Sequence, residues 1–411
     1  MALLRLRGAC VLCGHEFSPE PVLTLPDTPC ANEFTAEPRP QQQFPLALHL
    51  CPDPDCGHLQ LEAVVDPARL FSDYVYTSGT SPAAIRHFSD YAETLVSRFA
   101  LGAGSVAVDI GSNDGTLLRE FRNRGVGTVH GVEPAAGIAA RAALAGIPTT
   151  CAFFDRDIAN TLRSTAGPAD IITASNVFAH IDDLGSAALA VRSLLAPGGV
   201  FVFEVSYLLD VVERVLFDTI YHEHLSYHAV RPLRRFFGRL GMTLFDAERV
   251  PAQGGSVRCY VAASPRPVSP RVGELVDLET AAGLFTPATY HAFSQAIGAR
   301  REALAARLEQ VRAEGGRLCG YGAAAKLTTL MHALDLDGAD FDFIVDDSPL
   351  KQGLFTPGKH VRVANRDTFQ EASGRGYTCV VFAWNFFSQI AGANQDWDGN
   401  WINPVTPGGA A

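Results

Sequence analysis

The sequence predicts an α/β protein in which two doubly wound parallel sheets follow a small, loop-rich N-terminal segment. From Val106 onward, apolar strands alternate with glycine turns and helices rich in Ala, Leu and Arg, which is typical of a parallel sheet covered by helices. A second unit of strand, glycine turn and helix starts at Arg317. The N-terminal segment has clustered prolines, two cysteine pairs and little periodicity.

Length and composition limit the possible classes of protein. The chain has 411 residues, so two or three domains of about 100–200 residues each are expected. A net charge of −11 argues against nucleic-acid binding. The sequence has neither a signal-peptide pattern nor a run of about 18 apolar residues, so we expect no membrane partner. The scattered single cysteines favour the reducing cytoplasm, and the lack of a coiled-coil pattern favours a monomer.

The patterns divide the chain into three domains, residues 1–75, 76–265 and 266–411. The middle domain begins with a predicted amphipathic helix at residues 80–100. It ends with strands at 242–250 and 256–262, which a short loop with two glycines joins as an antiparallel hairpin. Residues 270–315 are predicted to be helical, and the tail from Gln395 is predicted to be irregular.

The N-terminal cysteine pairs predict a structural zinc site. Cys10 and Cys13 form a C-x2-C knuckle, and Cys51 and Cys56 form a C-x4-C knuckle. Four thiolates in two short loops satisfy tetrahedral Zn²⁺ and leave no open position for catalysis. A small, loop-rich segment would gain folding free energy from the metal.

The first glycine turn of the middle domain predicts a site for S-adenosylmethionine. The turn reads Asp-Ile-Gly-Ser-Asn-Asp-Gly from residue 109, and the following strand ends at Glu133, where a carboxylate can hold a ribose diol. A carboxylate at Asp109 would repel a pyrophosphate but suits a sulfonium cation. The predicted donor-binding residues are Asp109, Gly111, Asn113, Gly115, Glu133 and Asn176.

The second glycine turn predicts a diphosphate site. Residues 320–325 fit G-x-G-x-x-A, so the N–H groups at the start of the following helix are available to phosphate oxygens. Lys326 adds a positive charge, and the next strand ends at an acidic pair. The residues predicted to bind substrate here are Gly322, Lys326, Asp346 and Lys351. A Rossmann-like fold without a ligand is the alternative.

The central segment Phe217–His228 carries three histidines, two tyrosines, a glutamate and an aspartate. Its Tyr-His-Glu-His run supplies a base, a group that can orient the base and a hydroxyl donor. Glu223 can orient an imidazole or bind a substituent of the substrate. The residues alone do not decide which histidine is the base. A metal site is an alternative, since His222 and His224 would share one face of a strand, but no third ligand is evident.

These motifs, taken in chain order, resemble those of nucleotide-sugar C-methyltransferases, over nearly the whole chain. The quoted matches are the Cys-x2-Cys start, Tyr-Val-Tyr-Thr-Ser at 74–78, Asp-Ile-Gly-Ser-Asn-Asp-Gly at 109–115, Tyr-His-Glu-His-Leu-Ser-Tyr at 221–227 and Gly-Tyr-Gly-Ala-Ala-Ala-Lys at 320–326.

The resemblance implies a zinc-binding domain, a class I S-adenosylmethionine-dependent methyltransferase domain and a C-terminal Rossmann-like domain that binds the nucleotide sugar. It also implies methylation beside the ketone of a thymidine-diphosphate (TDP) 4-keto-6-deoxysugar, at C3 or C5, for an antibiotic or a related glycosylated natural product. His224 would be the base. The residues expected around the sugar are Tyr76, His180, Tyr221 and Glu223, with His222 as a further substrate contact.

Three other functions are considered. An NAD-dependent sugar oxidoreductase would need G-x-G-x-x-G at the first turn and a Tyr-x3-Lys pair, and the chain has neither. A sugar O-methyltransferase could use the same base, and a non-catalytic, zinc-stabilised nucleotide-binding protein is the third. The family commonly has His before the Gly-Gly-Ser turn, whereas this chain has Gln253, so the sugar can differ.

Overall fold

The computed structural model describes residues 3–72, 74 and 77–405. The N-terminal part forms small antiparallel sheets, so it has more regular structure than the sequence predicted. Its elements are β1 (Leu4–Leu6), β2 (Leu23–Thr28), β3 (Phe44–Leu50), β4 (Leu59–Leu61), β5 (Ala63–Val65) and α1 (Pro67–Phe71). Strand β1 pairs with β5, and β2, β3 and β4 pair in sequence order.

The predicted helix before the middle sheet is confirmed as α2 (Pro82–Phe99). The Ser81 hydroxyl accepts a hydrogen bond from the Ala84 amide at 3.4 Å, and Pro82 occupies the first turn, where its missing N–H costs nothing. Tyr91 and Leu95 of this helix are buried in the core beside the middle sheet.

The middle part forms a twisted α/β sheet. The strands of this part are β6 (Val106–Ile110), β7 (Thr128–Val132), β8 (Thr149–Thr150), β9 (Ala169–Ser175), β10 (Leu195–Ser206), β11 (Ser226–Tyr227), β12 (Thr243–Val250) and β13 (Ser256–Ala262). All of them except β11 belong to the sheet. Its helices are α3 (Thr116–Asn123), α4 (Ala136–Leu144), α5 (Arg156–Thr165), α6 (Leu184–Leu194), α7 (Leu208–Arg214) and α8 (Val230–Arg239).

The strand order of this sheet is β12-β13-β10-β9-β6-β7-β8. The strands from β10 to β8 run parallel, whereas β13 runs antiparallel to β10 and β12, which confirms the predicted hairpin. The chain leaves β6 towards β7 and returns on the other side of β6 as β9. This reversal opens a crevice at the carboxyl ends of β6 and β9, where ligands of such sheets bind.

Strand β11 lies outside the middle sheet and pairs antiparallel with β4 of the N-terminal sheet, through Ser226–Gln60 and Tyr227–Leu59. The sequence did not predict this crossing. It brings the central histidine segment against the N-terminal sheet, because the segment ends where β11 begins.

Two helices, α9 (Pro270–Ala281) and α10 (Pro287–Ala313), confirm the predicted helical stretch and lead to a parallel sheet. The strands of this sheet are β14 (Arg317–Tyr321), β15 (Phe341–Val345), β16 (Val363–Ala364), β17 (Tyr377–Val381) and β18 (Asn400–Ile402), and its helices are α11 (Lys326–Ala333), α12 (Arg366–Glu371) and α13 (Phe387–Ala393). Its strand order is β16-β15-β14-β17-β18. The prediction of an irregular tail from Gln395 is wrong for β18, which pairs parallel with β17, whereas residues 395–399 and 403–405 form neither helix nor strand.

One continuous apolar core joins the three parts of the chain. It runs from Leu12 and Leu48 of the N-terminal part through Phe203 and Phe237 of the middle part to Leu330 of α11. Within the described residues, no helix is long and apolar enough to cross a membrane.

Candidate active site

The first glycine turn lies at the carboxyl end of β6. Gly111 has a φ of 66°, and a Cβ there would lie 2.3 Å from Cγ2 of Val177, so only glycine fits beside the turn that follows β9. Gly115 has a φ of 75° and begins α3. The side-chain oxygen of Asn113 accepts the amide of Ser78 at 2.9 Å, so residues 77–80 lie across this turn.

Asp109 is buried at the base of the crevice. Its Oδ1 accepts a hydrogen bond from the Thr173 hydroxyl of the neighbouring strand at 2.6 Å. Burial raises the pKa of Asp109 to about 7, with the Thr173 hydrogen bond acting in the opposite direction and nearby Glu133 adding to the rise. A cationic ligand beside this carboxyl would therefore favour its ionised form.

Glu133 follows β7 and braces the glycine turn. Its Oε2 accepts the amide of Asn113 at 3.0 Å, and its Oε1 accepts the amide of Ala135 at 2.9 Å. These bonds fix the carboxylate, and each oxygen keeps a lone pair for a ligand hydroxyl. Burial raises the pKa of Glu133, against the effect of both amides.

The turn after β9 connects the glycine turn to the central histidine segment. Asn176 begins it in a left-handed conformation with a φ of 56°, and Val177 packs where a Cβ of Gly111 would lie. His180 ends it, and its ring stacks on the ring of His224 with 5.1 Å between centroids. The backbone amide of Leu225 donates to the Ala179 carbonyl at 2.9 Å, which ties the two segments together.

His224 is held in one orientation by its own segment. Its Nδ1 lies 2.7 Å from the Thr219 carbonyl oxygen, and its Nε2 lies 3.0 Å from the Tyr221 hydroxyl. Since a carbonyl only accepts, Nδ1 carries the proton, which leaves Nε2 as the basic nitrogen that accepts from Tyr221. Burial lowers the pKa of His224 to about 4, with the positive charge of Lys326 adding to the effect. The imidazole is therefore neutral at physiological pH.

His180 and Tyr221 complete an aromatic column with His224. The ring of His180 is sandwiched between His224 and Phe71, the latter at 5.5 Å. Burial lowers the pKa of His180 well below its ordinary value, and His224 adds to the shift. The His180 Nε2 is buried and has no hydrogen-bond partner among the described residues, so it is available to a ligand in the crevice.

The sequence predicted that Glu223 either orients an imidazole or binds a substituent of the substrate. The structure does not support the first role, because the hydrogen bonds of Glu223 go to residues other than His224. Its Oε1 accepts the side-chain amide of Asn32 at 2.7 Å, and its Oε2 accepts the Tyr74 hydroxyl at 3.4 Å. Burial raises the pKa of Glu223 to about 7, although both hydrogen bonds act in the opposite direction. The positioning of His224 comes instead from the Thr219 carbonyl.

His222 points away from the other members of its segment. It is 1% exposed, and its Nε2 lies 3.2 Å from the Phe44 carbonyl oxygen of β3, with its ring edge-on to Phe44. Because its contacts are with the N-terminal sheet, we leave His222 out of the substrate site. Tyr76, expected beside the sugar, lies outside the described residues.

The second glycine turn brings its lysine to the central histidine segment. Lys326 begins α11, and its Nζ lies 3.8 Å from Oδ2 of Asp218 and 5.0 Å from the ring centre of Trp384. Asp218 is fully buried and also accepts the Trp384 indole N–H. The Nζ of Lys326 is buried, and within the part of the chain that the structure describes it has no hydrogen-bond partner, so it can take an anionic oxygen.

Lys351 approaches the same turn from the other side. Its Nζ donates to the Ala323 carbonyl at 2.8 Å and lies 3.7 Å from Oδ2 of Asp346. Gly322 has a φ of 95°, and a Cβ there would lie 2.4 Å from Cβ of Ala383 after β17. The four residues predicted at the second turn therefore lie in one region.

The four N-terminal cysteines meet, as the sequence predicted. Their Sγ atoms all lie within 4.8 Å of one another, with Cys10–Cys56 at 3.8 Å and Cys13–Cys51 at 3.4 Å. Tetrahedral zinc with Zn–S bonds of about 2.3 Å requires Sγ atoms about 3.8 Å apart, so the cluster fits the ion. Among the described residues this is the one group of three or more metal-ligand side chains, and the histidine segment forms none.

Sequence reasoning missed three participants. Thr219 acts through a backbone carbonyl, which no side-chain pattern reveals. Asn32 lies in a loop without a motif. Trp384 follows the carboxyl end of β17, a position where ligand contacts in parallel sheets are common, so that placement was the available signal.

Comparisons with protein families cover the three parts of the chain. A model described as "Putative zinc binding domain" matches residues 10–71, a methyltransferase domain model matches 85–246, and a C-methyltransferase C-terminal domain model matches 251–406. C-methyltransferase NovU of Streptomyces niveus is 30% identical over an alignment of 411 positions. The alignment covers 98% of this chain and 96% of NovU.

Two solved methyltransferase structures match a little under half of this chain. An S-adenosylmethionine-dependent methyltransferase from Clostridium acetobutylicum has 16% identity and a TM-score of 0.36, over 44% of this chain and 92% of its own. Magnesium protoporphyrin IX methyltransferase from Synechocystis, solved with S-adenosylhomocysteine, has 13% identity and a TM-score of 0.34, over 44% and 83%.

The methyltransferase model and the observed strand order confirm the predicted class I fold, and the four-cysteine cluster confirms the predicted zinc-binding part. The match to NovU extends over both chains almost completely, and the C-terminal model is described as a C-methyltransferase domain. The chain therefore belongs to the C-methyltransferase family and is an S-adenosylmethionine-dependent enzyme with a zinc-binding N-terminal part.

Proposed function

We propose that the enzyme methylates the carbon beside the ketone of a TDP-4-keto-6-deoxysugar, at C3 or C5, in the synthesis of a branched deoxysugar for an antibiotic or a related natural product. The observation that supports this most is the setting of His224. Its neutral imidazole presents a basic Nε2, and its ring stacks on His180, whose turn also packs against Gly111. A carbon acid held there would lie between a base and the methyl donor.

The donor would be held by the residues around the first glycine turn. Asp109 would face the cationic part, Glu133 the ribose hydroxyls, and the Gly111, Asn113, Gly115 and Asn176 backbone would line the crevice. S-adenosylmethionine supplies an electrophilic methyl group on a sulfonium. Residues 77–80, which lie across the turn, would exclude water from the bound donor.

The sugar nucleotide would extend from His224 towards the C-terminal sheet. The sugar would contact Tyr221, His180 and Glu223, while Lys326, Lys351 and the turn at Gly322 would face the diphosphate. Asp346 would hold Lys351, as the 3.7 Å separation of their charged atoms suggests. Positioning both substrates in one crevice contributes much of the rate acceleration in such reactions.

The reaction needs one proton transfer and one methyl transfer. On substrate binding, the Tyr221 hydroxyl would turn its hydrogen from His224 Nε2 to the ketone oxygen. The freed Nε2 then removes the proton from the carbon beside the ketone, and the electron pair of the C–H bond moves into an enolate whose oxygen accepts the hydrogen bond from Tyr221. The enolate carbon then forms a bond to the methyl carbon while the C–S bond breaks, and its electrons remain on a neutral thioether. His224 afterwards releases its proton to solvent.

Mass spectrometry of a panel of TDP-4-keto-deoxysugars, incubated with enzyme and donor, tests this function. We expect a gain of one methyl group on carbon, located by carbon–proton correlation NMR. In D₂O without donor, the enzyme should exchange deuterium into the same carbon, and H224A should not. The exposed His291 provides the matched control, so H291A should exchange like the wild type.

A methyl group on oxygen would identify a sugar O-methyltransferase and overturn the proposal. No turnover of the whole panel, together with no binding of TDP, would favour a different acceptor. We also propose that the enzyme is a monomer that works in the cytoplasm, where zinc thiolates stay reduced. Light scattering of the zinc-loaded protein tests the first statement.

A further inference from the structure

Asn32 belongs to the zinc-bearing N-terminal part, yet its side chain reaches the central histidine segment. It lies in the loop between β2 and β3, and its Nδ2 donates to Oε1 of Glu223 at 2.7 Å across 191 residues of sequence. Glu223 is 2% exposed, so its carboxyl group depends on protein donors in place of water. The other donor found on it, Tyr74, is more distant at 3.4 Å.

The loop that carries Asn32 is fixed on both sides of that residue. The Ala31 carbonyl accepts the Thr328 hydroxyl of α11 at 3.3 Å. The Glu33 carbonyl accepts the side-chain amide of Gln41 at 2.7 Å, and the Glu33 carboxylate pairs with Arg69. A side-chain amide on such a loop delivers its N–H at a defined place, which a mobile loop would not do.

We propose that Asn32 is a positioning residue for methyl transfer, because its amide holds the Glu223 carboxylate in the charge state and orientation that the substrate requires. This inference rests on the proposed function. The N-terminal part would then contribute directly to the active site, in addition to its structural zinc. An Asn amide can only donate from its nitrogen, and donation stabilises the ionised carboxylate over the protonated acid.

The surroundings of Glu223 define what its titration reports. Besides Asn32 and Tyr74, two further groups interact electrostatically with the Glu223 carboxylate: the Cys30 thiol of the same loop and the Tyr221 hydroxyl. The pKa values of both these groups lie above their ordinary values, so neither ionises near neutral pH. Arg69 forms a further charged pair with Glu33 of the same loop. Burial also raises the pKa of Asp109 to about 7, and Asp109 would act through donor binding. At saturating donor, a change of activity near pH 7 is therefore assigned to Glu223, whose pKa is raised to about 7.

The test is the isosteric variant N32D, which keeps the size of the side chain but replaces the donor with an acceptor. We expect the acid limb of kcat/KM to move up by about one pH unit or more, since Glu223 loses a donor and gains a like charge. At pH 7 a rise of one unit from a pKa of about 7 lowers kcat/KM by about fivefold, and activity recovers at higher pH. Donor binding, measured by calorimetry, should be unchanged.

Two further variants separate positioning from a purely structural role. In E223Q the limb should be absent, and N32D added to E223Q should have no further effect on the profile. N123D is the matched control, because exposed Asn123 also donates to a glutamate, Glu120, at 3.5 Å, at a site far along α3. Its pH profile should overlay that of the wild type.

Two results would overturn the inference. The first is an N32D pH profile that overlays that of the wild type. The second is a pH-independent loss of activity with a lower Tm, in which the losses of N32D and E223Q add fully in the double variant. Failure of the proposed function looks different, because the wild-type enzyme itself would then leave the 4-keto sugars unmethylated.

Discussion

The imidazole rings of His180 and His224 stack with 5.1 Å between their centroids, and the two rings come from different segments of the chain. His180 ends the turn after β9, beside the donor crevice, and His224 belongs to the segment that leads to β11. Because two protonated imidazoles at this distance repel, the stack favours neutral rings and preserves the lone pair of His224.

We first predict that H224A lowers kcat by about 10²–10⁴-fold, since general-base assistance has that size. Binding of S-adenosylmethionine should stay within about twofold, because the hydrogen bonds that hold His224 come from Thr219 and Tyr221 of its own segment. H180F, which keeps the stack but removes the nitrogens, should be less impaired than H180A. Single-turnover kinetics and calorimetry measure these effects. Near-normal turnover of H224A would exclude His224 as the base.

Donor affinity should depend on pH through Asp109. Its pKa is raised to about 7 by burial, and a bound sulfonium would lower that pKa, so binding below pH 7 must first release a proton. The Kd should therefore rise as pH falls below 7, by up to about tenfold per pH unit. Calorimetry from pH 5.5 to 8 measures it. D109N should bind the donor weakly, with a Kd that is nearly independent of pH. E133Q is the comparison and should keep the pH dependence of the Kd. A wild-type Kd that is constant over this range would contradict the prediction.

Lys326 should matter for stability as well as for substrate. K326M leaves the buried Asp218 without its cation, and removal of one partner of a buried pair costs about 3–5 kcal/mol. The double variant K326M/D218N should recover much of the loss in free energy of unfolding, measured in urea. The KM for the sugar nucleotide should stay high in that double variant, because the missing ammonium no longer takes an anionic oxygen. Recovery of both stability and KM would exclude contact of Lys326 with the substrate.

Zinc removal should destabilise the N-terminal part and also impair methylation. Structural zinc contributes directly to folding free energy, so a chelator or C13S should lower the Tm. Since Asn32 of that part contacts Glu223, we expect kcat to fall together with metal content, while donor binding persists. Metal analysis of partly chelated samples checks the correlation. Full activity without zinc would contradict this coupling.

Regular local patterns made most of the architecture predictable. The helix that became α2, the β12–β13 hairpin and both glycine turns followed from periodicity, caps and turn residues, which act over a few neighbours. The cysteine knuckles were equally local, since each pair is short and the ligand chemistry of zinc is restrictive.

The contacts between distant segments were not predictable. Nothing in the residues around His222 indicates that it packs on the Phe44 carbonyl, because that depends on β11 joining the N-terminal sheet. The same crossing separates Glu223 from His224, although they are neighbours in sequence. The resemblance favoured His224 over His222 as the base, and the tautomer of His224 became clear only from the Thr219 carbonyl.

The pairing of β11 with β4 also bears on how the enzyme is made. Strand β11, the edge strand that pairs with β4, is translated only after most of the methyltransferase part. Until then the edge of β4 is uncovered, and an unpaired edge invites pairing with other chains. Because the pairing uses backbone groups, a zinc-bearing part taken from a related enzyme would need an extended segment at residues 226–227 to cover the edge of its β4.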